Sequence, residues 1–248
     1  MSIQRAKVLV FDLDGTILYT LESIARAGNR MLEALGLAAQ PVDAYRYFCG
    51  DGSDNLVRRC LKAVNAYNEE NFKKGAALNR ALIAEDALYA VRPYEGMPEV
   101  LKTLKESGFS LAVFSNKPDE AVQAAIRGTY GELFDLVRGQ LADIPLKPDP
   151  AGALKIAEEF GVRPADCVYF GDTWTDMQTG RAAGMYTCGV LWGYRDREEL
   201  LDNGAECLLE RPSDILSLPM LLAPCPSFEP RRQQGLVKRA GTMEKRMI

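Results

Sequence analysis

Two aspartates one residue apart, Asp12 and Asp14, end the apolar run Val8-Leu9-Val10-Phe11 and precede Gly15-Thr16. Side chains of a strand alternate with period two, so both carboxylates project the same way from its end. Such a pair suits nucleophilic or acid–base chemistry, or the holding of a hard cation. The ordinary alternative is a polar turn, where Asp and Gly are common.

Three later stretches repeat this placement of polar groups beside apolar runs and helix starts. Ser115-Asn116-Lys117 directly follows the run at 110–114; read alone, its serine and asparagine would cap the next helix. Lys147 precedes Pro148-Asp149-Pro150, a proline-fixed helix start that suits a cation facing a bound anion. Gly171-Asp172-Thr173-Trp174-Thr175-Asp176 follows the run at 167–170, and Asp176 by itself reads as a helix N-terminal charge or cap.

The chain contains no histidine. That removes Ser-His-Asp and Cys-His nucleophiles, HExxH zinc sites and a histidine base, leaving carboxylates, lysine, hydroxyls and thiols. Cysteines stand at positions 49, 60, 167, 188, 207 and 225 without a CxxC pair, and no charged leader with an apolar segment opens the chain. Free thiols in a reducing cytoplasm are therefore expected. A net charge of −4 argues against an extended nucleic-acid surface. No apolar run approaches the roughly 20 residues that cross a bilayer. Neither nucleic acid nor membrane is an expected partner, and a monomer or homodimer is the expected state.

At 248 residues, 47% of them hydrophobic, the chain has enough apolar material for one large domain or a core with a smaller insert. Apolar runs at 7–11, 110–114, 167–170 and 186–191 read as buried strands. They alternate with helical periods at 99–106, 119–126, 149–160 and 176–183, the pattern of an α/β, Rossmann-like doubly wound parallel sheet. Residues 20 to about 90 are helical in pattern throughout, with helices at 23–35, 55–64 and 69–88 broken at Gly36, Pro41 and Gly50-Asp51-Gly52. The expected division is a core at 1–19 and 92–222, an all-helical insert at 20–91, and a basic, proline-containing extension at 223–248 that reads as disordered. Residues 92–96 read as the return linker.

Right-handed crossovers bring the carboxyl ends of parallel strands to one edge of the sheet. Asp12, Asp14, Ser115, Lys147 and Asp172 should then converge. Three carboxylates around a lysine and a hydroxyl call for a hard cation, most simply Mg²⁺, and such a site suits a phosphoryl group.

In this order the DxDGT string at 12–16, Ser115, Lys147 and the GDxxxD string at 171–176 resemble the phosphatase motifs of the haloacid dehalogenase-like superfamily over residues 7–220. Ser115-Asn116-Lys117-Pro118, Lys147-Pro148-Asp149-Pro150, residues 171–184 and Trp192-Gly193-Tyr194 are similar to its phosphoglycolate phosphatases in particular, and the helical insert to their mobile cap. The resemblance implies that Asp12 attacks phosphorus and that Asp14 protonates the leaving oxygen and then activates water. Ser115 and Lys147 would bind the transferring oxygens, with Thr16 and Asn116 beside the substrate and Lys117 a further candidate phosphate contact. Mg²⁺ would be held by Asp12, the Asp14 main-chain carbonyl and Asp172, with Asp176 orienting that shell.

The implied activity is hydrolysis of a small, phosphoglycolate-like phosphomonoester. Substrate choice is assigned to the insert, where the Gly50-Asp51-Gly52-Ser53 turn and Arg58 are the candidates for gripping the leaving group. Tyr19-Thr20 departs from the acidic residue and hydroxyl that many relatives carry there. A sugar-phosphate phosphomutase and a catalytically silent scaffold for a phosphorylated ligand remain as alternatives.

Overall fold

The computed structural model describes residues 6–222; the extension expected at 223–248 lies outside them. A six-stranded sheet forms the centre, with β1 (Val8–Phe11), β4 (Ser110–Pro118), β5 (Leu136–Gln140), β6 (Cys167–Gly171), β7 (Tyr186–Val190) and β8 (Cys207–Leu209). The order is β5-β4-β1-β6-β7-β8 and every pairing is parallel. Helices α5 (Met97–Glu106), α6 (Asp119–Tyr130), α7 (Ala151–Glu159), α8 (Trp174–Ala183), α9 (Arg197–Asp202) and the short α10 (Pro219–Leu222) connect and cover it.

Both faces of the sheet are buried, which is why its central strands read as unbroken apolar runs. Leu9 and Phe11 pack on one side with α5 and α6. Val8 and Val10 pack on the other with Ala153, Ile156 and Ala157 of α7. The chain runs from β1 outward to β4 and β5, then returns to β6 on the opposite flank of β1. The switch point of this doubly wound sheet thus lies at the carboxyl end of β1, where ligands of such folds bind.

The segment expected to be a plain return linker is instead partly paired. Leu18–Tyr19 (β2) and Arg92–Pro93 (β3) form a two-stranded antiparallel ribbon. The Arg92 guanidinium lies 4.0 Å from the centroid of the Tyr19 ring. Neither two-residue strand has a period to read, so sequence pattern alone could not reveal it. Between these strands lie α1 (Leu21–Ala34), α2 (Tyr45–Phe48), α3 (Ser53–Ala63) and α4 (Glu69–Glu85). They gather around their own apolar cluster, including Met31, Leu32, Tyr45, Leu56, Val57 and Leu61. Among the described residues no helix is long and apolar enough to cross a membrane.

Candidate active site

The register carries Asp12 just past the end of β1, between β4 and β6. Its backbone N–H donates to the Phe170 carbonyl, fixing it against the strand that leads to Asp172. Asp12, Asp172 and Asp176 are buried, and each offers a carboxylate oxygen within 4.8 Å of the others'. Lys147 Nζ donates to Asp12 Oδ1 at 2.7 Å and to Asp176 Oδ1 at 2.6 Å. Its backbone is fixed by Asn116, which accepts from Lys147 N at 2.8 Å and donates to Lys147 O at 3.1 Å.

Asp176 serves two elements at once. One oxygen meets Lys147, while the other accepts from the Thr173 hydroxyl and backbone N–H, closing a capping box at the start of α8. This holds the lysine's second carboxylate on a rigid helix rather than on a loop.

Asp172 accepts from Tyr194 N at 2.8 Å and from the Thr16 hydroxyl at 3.3 Å. The chain can crowd it this closely because Gly15 and Gly193 carry no side chain. A Cβ at either position would collide with the Asp172 side chain, and Gly15 also adopts φ +84°.

Asp14 stands apart from this trio. It accepts from Lys117 Nζ at 2.9 Å and from the Thr20 hydroxyl at 2.6 Å. Tyr194 OH in turn lies 2.9 Å from Thr20 Oγ1. Two adjacent carboxylates therefore sit in different settings, one between a lysine and other carboxylates, the other between a lysine and a hydroxyl.

Electrostatics reflect the crowding. Burial pushes the Asp12 carboxyl from an ordinary 3.8 up to about 7, with Lys147 opposing the rise and Asp176 and Asp14 adding to it. Burial, with Asp12 and Asp176 nearby, also raises Asp172 well above its usual range, against the Tyr194 N–H and Arg195. Burial works against the charge on Lys147, but Asp12 and Asp176 outweigh it and hold the ammonium well above its ordinary pKa. Three buried carboxylates, two of them on Lys147, gather oxygen donors whose charged forms burial and mutual repulsion oppose until a cation offsets them. That is the donor set a hard divalent cation fits.

A pocket opens over these groups, lined from the core by Asp12, Asp14, Ser115, Asn116, Lys117 and Lys147 and closed from the insert side by Cys49, Gly50, Gly52, Ser53, Leu56 and Ile83. The predicted core residues Asp12, Asp14, Ser115, Asn116 and Lys147 meet at this pocket, with Asp172 and Asp176 beneath it. Thr16 is fully buried and faces Asp172 instead. Arg58, proposed from sequence to grip the leaving group, is not part of the pocket lining. Its guanidinium lies 4.3 Å from the Phe72 ring centroid, and Nη1 donates to Asn55. The glycine turn does reach the pocket, shaped by its neighbour Arg59, which pairs with Asp51 and donates to the Phe48 carbonyl.

Sequence reasoning named Asn116 and the glycine turn but missed that they meet, and missed Thr175, Arg46 and Arg195 as the other groups that join insert to core. Gly50 O accepts from Asn116 Nδ2 and from Thr175 Oγ1, each at 3.2 Å. Cys49 O accepts from Arg195 Nη2 at 2.9 Å, and Arg46 Nη1 donates to Gly193 O at 3.2 Å. Their only signal in the sequence was proximity to the glycine turn, to the 171–176 string and to Trp192-Gly193-Tyr194.

Residues 6–184 match the haloacid dehalogenase-like hydrolase family. A phosphoglycolate phosphatase of Aquifex aeolicus is 33% identical over 213 residues, covering 86% of this chain and 96% of that protein. Another from Psychrobacter arcticus is 32% identical over 200 residues, covering 78% and 87% respectively. The crystal structure of a predicted phosphoglycolate phosphatase from Haemophilus somnus superposes with a TM-score of 0.80 at 26% identity, covering 87% of this chain and 99% of that one. This chain belongs to the haloacid dehalogenase-like hydrolase family.

Proposed function

We propose that the chain is a Mg²⁺-dependent phosphatase that hydrolyses a small, phosphoglycolate-like phosphomonoester through an aspartyl-phosphate on Asp12. The observation that carries this reading is the convergence of Asp12, Asp172 and Asp176, with Lys147 Nζ bonded to the first and last of them, at a pocket that Asp14 also lines. The names of the relatives supply the substrate type.

Asp12 Oδ attacks phosphorus as the bond to the leaving oxygen breaks, and Asp14 delivers a proton to that oxygen. Asp14 then takes a proton from water, which attacks the phosphorus of the acyl phosphate and restores the Asp12 carboxylate. Lys147 meets the charge of the transferring oxygens, and Ser115 offers them a hydroxyl from the pocket wall. Thr20 and Lys117 aim Asp14. Asp12, Asp172 and the Asp14 carbonyl would hold the cation, with Asp176 anchoring Lys147 beside them. When bound, the cation neutralises phosphate charge so that an anionic nucleophile can approach.

The insert at 20–91 acts as a cap whose turn at 49–53 covers the leaving group and excludes bulky substrates. Asn116, turned between Lys147 and the Gly50 carbonyl, acts in this reading by positioning both rather than by holding substrate.

The test is phosphate release from phosphoglycolate, sugar phosphates, nucleoside monophosphates and pyrophosphate, with Mg²⁺ and with a chelator. Expected are Mg²⁺-dependent release from a small monoester and, after rapid quenching, a phosphate-sized mass increase on the Asp12 peptide. Sugar-phosphate interconversion without net release would replace the reading with a mutase. No turnover of any phosphoester would leave a scaffold.

A further inference from the structure

On the sheet edge away from the pocket, the parallel register of β7 and β8 places Cys188 directly opposite Cys207. Paired residues on neighbouring strands share a face, and strands lie about 4.8 Å apart, within the span a disulfide bridges. The two sulfurs lie 2.9 Å apart, and both side chains are free thiols. We propose that Cys188 and Cys207 are a peroxide-oxidised dithiol that closes to a reversible disulfide between the last two strands of the sheet.

The pair is built asymmetrically. Cys207 lies on the edge strand and is partly exposed, whereas Cys188 is buried in the core. The Cys188 thiol beside it stabilises a Cys207 thiolate and lowers its pKa against the cost of burial, with Tyr186 assisting. Burial and the neighbouring Cys207 push Cys188 well up. Cys207 is therefore the group that meets an oxidant, and Cys188 the one that resolves the product. The remaining described cysteines, Cys49, Cys60 and Cys167, are all buried, and burial raises each of their thiols. They provide an internal contrast.

The chemistry balances with hydrogen peroxide as the oxidant. The Cys207 thiolate attacks one peroxide oxygen, the O–O bond breaks, and the departing hydroxide takes up a proton to leave as water. Sulfur is oxidised to the sulfenic acid. Cys188 sulfur then attacks Cys207 sulfur, the S–O bond breaks, and the thiol proton leaves with the hydroxyl as a second water. Overall, two thiols and one peroxide give one disulfide and two waters, and a dithiol reductant reverses the result by exchange.

The experiment treats the full-length protein with a small excess of hydrogen peroxide, traps remaining thiols, digests without reductant and maps peptides by mass. The same treatment of Cys225→Ser removes the cysteine outside the described residues as a competing partner. The expected result is a linked 188–207 peptide pair two hydrogens lighter than the reduced pair, retained in Cys225→Ser and lost on dithiothreitol treatment. Cys207→Ser should leave Cys188 as a trappable thiol. The native mapping stands even if that variant misfolds. Over-oxidation of Cys207 to sulfinic or sulfonic acid with Cys188 still free would overturn the proposal. So would Cys188 and Cys207 both being trapped as thiols after Cys49, Cys60 or Cys167 has reacted.

Discussion

At the carboxyl ends of β1, β4 and β6 the charged side chains face one another: Lys147 between Asp12 and Asp176, and Lys117 on Asp14. Across the pocket, on α2 and α3 around the connecting turn, the arginines are held by other partners and none lines the pocket. Arg46 donates to Gly193 O, Arg58 lies over Phe72 and Arg59 pairs with Asp51. What the turn presents to the core is backbone, namely the Cys49 and Gly50 carbonyls, with Gly52 and Ser53 lining the pocket. One wall concentrates charge and the other presents backbone, and in the proposed function the first carries the chemistry and the second the fit. Substitutions on the first wall should therefore cost rate, and those on the second should cost affinity.

The largest effect belongs to Asp12→Asn. If Asp12 is the nucleophile, kcat falls about 10³-fold or more while circular dichroism stays native. The same variant inverts the usual cost of mutating a buried residue. Asp12 titrates near 3.8 unfolded and about 7 folded, so its contribution to stability is full below the lower value and lost as pH rises through the higher one. In chelator, raising pH from about 5 to about 8 should destabilise wild type relative to Asp12→Asn, read as diverging urea midpoints. Saturating Mg²⁺ should narrow that gap. Parallel pH profiles in chelator would show that Asp12 carries no raised pKa.

Lys147→Ala ranks second, with a loss of roughly 10²-fold in kcat. It also strands Asp12 and Asp176 as buried carboxylates without their cation, and breaking such a pair costs about 3–5 kcal/mol. A urea midpoint equal to wild type would mean that the carboxylates find other partners. Asn116→Ala is third. It removes two bonds to Lys147 and one to Gly50 O; the last ties the turn to the core, and at about 1 kcal/mol net its loss lowers kcat/KM roughly 5-fold. Its signature is a raised KM, and a pure kcat effect would place Asn116 with the chemistry instead of the turn.

The two walls also differ in how far their residues could be read in advance. Central strands were readable because both faces of the sheet are buried, so Val8 to Phe11 needed no alternation. Asp12 and Asp14 were readable because a spacing of two means one direction at a strand end. Edge strands were not: β5 carries Arg138 and Gly139, and β8 is only three residues long. Thr20 and Tyr194 touch across 174 positions, and neither residue type announces such a contact. Asp176 could be read as a cap but not as the second partner of Lys147, since that depends on where a distant loop returns. Cys188 and Cys207 meet only through strand register, which no local cysteine spacing encodes.

Arg58 gives the smallest expected effect and the sharpest division between the walls. Arg58 and Arg59 are adjacent in sequence, but one helical step rotates a side chain by about 100°, enough to send neighbours to different surroundings. Arg59 turns to Asp51 beneath the glycine turn, and Arg58 to Phe72 on α4. Arg58→Ala should leave kcat and KM within about twofold of wild type and cost about 0.5–1 kcal/mol of stability from the lost cation–π contact. Arg59→Ala should instead loosen the turn and raise KM, because Asp51 and the Phe48 carbonyl lose their shared donor. A KM that rises more for Arg58→Ala than for Arg59→Ala would mean that the guanidinium leaves Phe72 when substrate binds, and the second wall would then select by charge after all.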